Sequence, residues 1–263
     1  MKITLAYDGT SAVGWQRQAE GASIQGWLED ALTRIDGRPV SVTGAGRTDA
    51  GVHALGQVAS AVIAHPLDTA GLRRALNAML PQDVRVLDVA EAREGFHARY
   101  GARAKTYRYC IANGEVVSPF AWRYVWHVAQ PLAVEPMIAA ARAIEGRHDF
   151  SAFQAAGSAT ATTVRTMVAS ELRVAEDADL FWHPARIAGC GGAGVGRVLV
   201  YEVTGEGFLR HMVRTIVGTL VEIGAGRREA DAMAAVLASR DRRAAGPTAP
   251  ACGLCLVRVA FDP

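Results

Sequence analysis

Lysine is almost missing from this chain: of its 28 basic residues only Lys2 and Lys105 are lysines, and the rest are arginines. One reading of that bias is an arginine- and alanine-rich proteome, and the other is function. Arginine is also the side chain that grips phosphate with two parallel donors and stacks on bases. Cysteine is scarce as well. Four cysteines in 263 residues, behind an N-terminus (MKITLAYDGT) that meets Asp8 too early for a signal-peptide core, predict reduced thiols and a cytoplasmic protein. No apolar run is long enough to cross a bilayer. The formal net charge of +2 is too small to announce a polyanionic partner by itself. What remains is an ordinary globular composition, half hydrophobic and 21% charged, in a chain long enough for one large domain or two small ones.

Acids are missing where chemistry would most often pair them. GAGRTDAGVHALGQV, residues 44–58, holds one carboxylate, Asp49, with glycines on both sides. A lone acid in a segment so free to bend reads as a group that attacks or deprotonates something bound. A glycosidase would ordinarily show two carboxyl groups, one of them protonated. A hydrolase using Asp49 on phosphate would want further acids for Mg²⁺ close by, and TDAGVHALGQV offers none. GFHARYGARAKTYRY, residues 95–109, contains no acid and interleaves aromatics with Arg99, Arg103, Lys105 and Arg108. That pattern suits flexible or single-stranded RNA, whose bases stack on aromatic faces while cations track the backbone. Its plainer reading is an exposed basic strand. GFLRHMVRTIVGTLVEIGAG places Arg210, His211 and Arg214 at the head of an apolar helix, the end where the macrodipole favours anions. Arg214 therefore wants a carboxylate or a phosphate beside it, and Asp49 is the candidate.

Two familiar patterns lead nowhere. Gly189, Gly191 and Gly194 match a dinucleotide fingerprint, but a strand (RVLVYEV) follows them where that motif needs a helix, so the stretch reads as a loop. Cys252 and Cys255 form C-x-x-C without a second ligand pair at metal spacing, and they open a strand rather than sit at a strand-to-helix turn. They read as small strand residues, and no metal is expected.

Periodicity divides the chain into two halves of the same plan. MKITLAY alternates Ile3, Leu5 and Tyr7 against polar or small neighbours, which predicts a half-buried strand. SIQGWLEDALTRIDG sets Ile24, Trp27, Leu28, Ala31, Leu32 and Ile35 on one helical face, with Ser23 as cap and Gly37 just past the end. Strands follow in RPVSVTG and over 55–64, then a helix in DTAGLRRALNAML and a strand in VRVLDVA. The order is β-α-β-β-α-β, the split-βαβ or ferredoxin-like arrangement. KTYRYCIA, VEPMIAAARAIEG, TVRTMVASELRV, RVLVYEVTGE, HMVRTIVGTLVEIG and GLCLVRVAF repeat it, with an extra short helix near Ala230 to Leu237. The expectation is an α/β (α+β) protein of two domains, 1–103 and 104–263, with mainly antiparallel sheets and a central cleft.

The blocks YDGT and GWQRQ (7–18), GAGRTDAGVHALGQV, FHARYGARAKTYRY, HDFSAF (148–153), FLRHMVRTIVGTLVEIG and TAPACGLCLVRV, in this order, resemble the tRNA pseudouridine synthase A family almost end to end. The resemblance implies the pseudouridine synthase fold, a homodimer without cofactor, and uridines at positions 38, 39 and 40 of the tRNA anticodon stem-loop as substrate. Carried over by position, Asp49 matches the catalytic aspartate and Tyr107 the tyrosine that stacks on the target base. Arg214 corresponds to the basic partner of the aspartate, which would favour its charged form. Leu254 matches the aliphatic side chain packed on the base, and Arg47 a residue that helps hold the flipped nucleotide. The chain departs from the family pattern at Ala12 and Val13, where an aromatic pair is common, and in the extended HPARIAGCGGAGVG loop. A catalytically silent RNA-binding or RNA-chaperone protein is the competing reading, although a pure binder would need only the basic aromatic surface.

Overall fold

The computed structural model describes residues 1–157, 160–175 and 196–262. Its chain divides into two compact units, Met1–Lys105 with Cys255–Pro263, and Thr106–Leu254. The first unit runs β1 (Lys2–Tyr7), α1 (Ile24–Asp36), β2 (Val42–Gly44), β3 (His53–Ala61), α2 (Thr69–Met79) and β4 (Val84–Ala90), the β-α-β-β-α-β order read from the periodicity. Strand β1 lies between β3 and β4, antiparallel to both, and β2 pairs antiparallel with the far edge of β3. Alternation does what it predicts: Ile3, Leu5 and Tyr7 are buried and their neighbours are not.

Helix α1 starts where Ser23 accepts a hydrogen bond from the Gly26 amide and stops where Gly37 turns left-handed at φ 73°. Its buried stripe is Ile24, Leu28, Ala31 and Leu32; Trp27 and Ile35, expected on the same face, are only partly covered. Burying each of the large aliphatics contributes roughly 1.5–3 kcal/mol. Helix α2 is capped in the same way by Asp68, whose carboxylate accepts from Gly71 N at 2.7 Å, and Pro81 follows its end.

The second unit contains β5 (Ala102–Asn113, from Thr106 onward), β6 (Trp126–Val128), α3 (Val134–Arg142), β7 (Gly146–Asp149), β8 (Val164–Val174), β9 (Arg197–Gly205), α4 (Met212–Gly224) and α5 (Ala232–Ser239). Here the strand order is β5-β9-β8-β7, with β6 added in parallel to β5. The long β8–β9 pair is antiparallel. Helix α3 is tied to this sheet by Ser170, whose hydroxyl donates to Ala141 O at 2.7 Å and lies 2.9 Å from the Tyr201 hydroxyl. Helix α4 is buried nearly all round, which is why its sequence is apolar on every side.

Strands β6 and β7 are additions to the expected plan. The closing strand β10 (Leu254–Phe261) differs in placement: from Cys255 it belongs to the first unit, where Cys255 and Leu256 pair in parallel with His53 and Ala54 of β3. A division at 103/104 cannot capture that, because the pairing joins residues some two hundred positions apart. The glycine-rich stretch with Gly189, Gly191 and Gly194, and Cys190 within it, lies outside the described residues. Cys252 sits in a 3₁₀ turn just before β10 rather than on the strand. No described helix is long and apolar enough to cross a membrane.

Candidate active site

In the first unit the turn between β2 and β3 carries Arg47 and Asp49. Arg47 is exposed and Asp49 half-buried, while Thr48 between them is turned inward. The turn is held at each of its corners. Ala45 N donates to Val58 O at 2.8 Å, Gly46 O accepts from Gln57 Nε2 at 2.9 Å, and Val52 N closes back on Asp49 O at 3.1 Å. Beneath it, the Tyr7 hydroxyl lies 2.9 Å from Thr48 Oγ1, and the Gln57 amide donates to the same phenol oxygen at 3.4 Å. Tyr7, Thr48 and Gln57 are all buried. Burial pushes the Tyr7 phenol well above its ordinary range, against the opposite pull of its Thr48 and Gln57 hydrogen bonds, so it remains neutral.

The YDGT and GWQ blocks are the floor and wall of this turn. Trp15 N donates to Thr48 O at 3.0 Å, and the indole, 2% exposed, packs near the Tyr7 ring with centroids 6.3 Å apart. Gly14 adopts φ +105°, and a Cβ there would lie 2.6 Å from Thr48 O and 3.0 Å from the Asp49 carbonyl carbon. Only glycine lets the two backbones approach this closely. Asp8 accepts from Thr10 N at 2.9 Å and stands 3.2 Å from His53 Nδ1, the same nitrogen approached by Gly9 N at 3.2 Å. These supports, Tyr7, Gly14, Trp15, Thr48 and Gln57, are not apparent from the chemistry of the sequence. The signal available for them was their membership of motif blocks.

In the second unit Tyr107, Arg214 and Leu254 occupy β5, α4 and the start of β10. Tyr107 is 7% exposed and Tyr109 fully buried, which overturns the reading of this stretch as an exposed basic strand. The Tyr107 ring meets Phe208 edge-on, centroids 4.9 Å apart at 78°, so the KTYRY and GFLRH blocks converge. Arg108 is neutralised by Glu202, donating from Nε at 3.0 Å and Nη2 at 2.9 Å.

Arg214 is half-buried in the first turn of α4. Its Nε donates to Ala249 O at 2.7 Å, and Ala249 N donates to Arg214 O at 3.1 Å. The strap 246–250 is fastened in turn: Arg242 donates to Gly246 O at 3.0 Å and Thr248 Oγ1 at 3.1 Å, and Gly246 N donates to Thr219 Oγ1 at 2.9 Å. Tyr109 donates its hydroxyl to Pro250 O at 2.8 Å. Burial raises the Tyr109 phenol's pKa and the positive charge of Arg214 works against that. The helix begins at His211, which holds a left-handed φ of 62° without being glycine, a strained conformation that neighbouring structure must impose. Leu254 is buried after the 3₁₀ turn that follows the strap.

A model of the family described as tRNA pseudouridine synthase matches residues 3–101 and 140–262. The chain is 44% identical over 263 residues to tRNA pseudouridine synthase A of Syntrophotalea carbinolica, covering 100% of this chain and 96% of that one. It is 46% identical over 261 residues to the Myxococcus xanthus protein of the same name, covering 99% and 91%. With the Moorella thermoacetica protein of that name the identity is 44% over 263 residues, covering 99% of both chains.

Proposed function

The chain belongs to the tRNA pseudouridine synthase family, and from that premise we propose that it isomerises uridine to pseudouridine at positions 38, 39 or 40 of the tRNA anticodon stem-loop. In this reading it works in the cytoplasm as a homodimer. The observation that carries it is the construction of the 45–52 turn, a lone carboxylate on a segment pinned by hydrogen bonds to the buried Tyr7, Gln57 and Val58. Such preorganisation is what a group that must meet one reacting atom requires.

The isomerisation breaks the bond from uracil N1 to the ribose, turns the base, and joins C5 to the same sugar carbon; C5 then loses its proton and N1 takes one up, so the atoms balance. No electrons enter or leave, so the reaction needs no redox partner. The base first leaves its stack, at roughly a few kcal/mol. Stacking on Tyr107 offsets about 1–3 kcal/mol of that. Asp49 acts on the sugar as nucleophile or as base, in its ionised form. Arg214 supplies the positive charge that favours that form, Arg47 holds the extruded nucleotide, and Leu254 packs on the base.

Asp49→Asn tests this. It should abolish release of label from uracil C5 of tRNA while leaving tRNA binding nearly intact. Full activity in that variant overturns the assignment, and a wild-type protein that binds tRNA without releasing label is an RNA binder or chaperone instead.

A further inference from the structure

Four basic residues lie between 95 and 109, and the structure separates them into two kinds. Arg103 donates to Asp262 at 2.7 Å and Arg108 is paired with Glu202. Arg99 and Lys105 have no carboxylate partner among the described residues. Lys105 is nonetheless more than half-buried, and desolvation, with the nearby charge of Arg99 adding to it, lowers its pKa. Holding two like charges close, one of them partly out of water, costs folding free energy that a bound anion would offset.

Beside them the turn 97–101 presents an aromatic ring to solvent. Tyr100 is 77% exposed, yet it is not loose. One face of its ring stacks on His97 with centroids 4.3 Å apart and planes 28° from parallel. The Arg99 guanidinium lies 5.7 Å from its centroid. The backbone amides of Arg99 and Tyr100 both donate to His97 Nδ1 at 3.2 Å, and Gly101 N donates to His97 O at 2.8 Å. Ala98 anchors the turn, buried against Ala45 and Val58 with its amide 3.2 Å from Ser60 Oγ. A large aromatic left in water but already ordered has lost most of the entropy that binding would otherwise cost.

We infer that the outer face of Tyr100 is a stacking platform for an unpaired nucleobase of the RNA substrate, with Arg99 and Lys105 receiving the adjoining phosphates. A π-face of this kind accepts any base, and the two cations, without an acid partner among the described residues, complement the backbone. The platform rests on the tRNA reading above and adds to it a contact on the first unit apart from the Asp49 turn.

Titration of labelled tRNA over a series of salt concentrations tests it. Tyr100→Ala should weaken binding roughly five- to 150-fold, whereas Tyr100→Phe, which keeps the ring, should bind as wild type. Arg99→Gln should make the slope of log affinity against log salt shallower by about one. Melting curves of these surface variants should match wild type, and label release at saturating tRNA should be unchanged. The platform is overturned if Tyr100→Ala binds as wild type, if it loses no more than Phe120→Ala at another exposed ring, or if only its saturating rate falls. Wild-type protein that binds tRNA through Tyr100 but releases no label would sink the proposed activity and leave the platform standing. Active wild type with normal binding in Tyr100→Ala would do the reverse.

Discussion

Gly14→Ala is the sharpest probe of how the Asp49 turn is built. At φ +105° an L residue is strained whatever space surrounds it, which costs of order 1–3 kcal/mol. Space is lacking too. The new Cβ would lie 2.6 Å from Thr48 O, about 0.8 Å short of the 3.4 Å at which ordinary contact begins. Neither side yields easily, because Trp15 N is bonded to that same oxygen and Thr48 is held from below by Tyr7. The turn must therefore move by a fraction of an ångström, carrying Asp49 with it. A misplacement approaching 1 Å costs on the order of 100-fold in rate. In single-turnover assays of label release we expect a loss of that order with tRNA affinity nearly kept, and a melting temperature lower by roughly 2–12 °C. Gly37→Ala is the control: its φ is also positive, at +73°, but nothing lies within 4 Å of the added Cβ. It should lower stability slightly and leave the rate alone. A Gly14→Ala protein with wild-type rate and stability would refute the reasoning.

Tyr7→Phe removes the hydroxyl shared by Thr48 and Gln57, leaving buried polar groups short of a partner, at about 1–3 kcal/mol. The single-turnover rate should fall with little change in tRNA affinity. Because burial raises the phenol's pKa, its contribution to stability is fully present below the ordinary value of 10.0 and declines only as pH rises beyond it. The stability gap between Tyr7→Phe and wild type should therefore be flat from acid to mildly alkaline pH, and a gap that titrates near neutrality would contradict the network. Gly218→Ala sets a Cβ 1.7 Å from Pro247 O, where helix α4 meets the strap that holds Arg214. Overpacking at a buried site costs about 1–3 kcal/mol or more, so thermal melts should show clear destabilisation; an unchanged melt would mean the strap is not seated as described.

The sequence by itself determined the local elements and singled out Asp49 as the candidate acid. Period-two alternation placed β1, period 3.6 placed α1, and Ser23 and Gly37 marked its ends, because each of these signals comes from neighbours in the chain. Asp49 stood out for the same reason, as one carboxylate among glycines. Only the tertiary structure decided what holds that acid in place. Tyr7, Gly14 and Gln57 reach the turn through contacts spanning up to 41 positions, and β10 joins β3 across some two hundred. It also decided which cations of the 95–109 stretch are neutralised, since Asp262, just past β10, and Glu202, on β9, lie far away in sequence. Spacing along a chain reports which face a side chain takes, whereas its partner depends on which other segment the fold lays against that face.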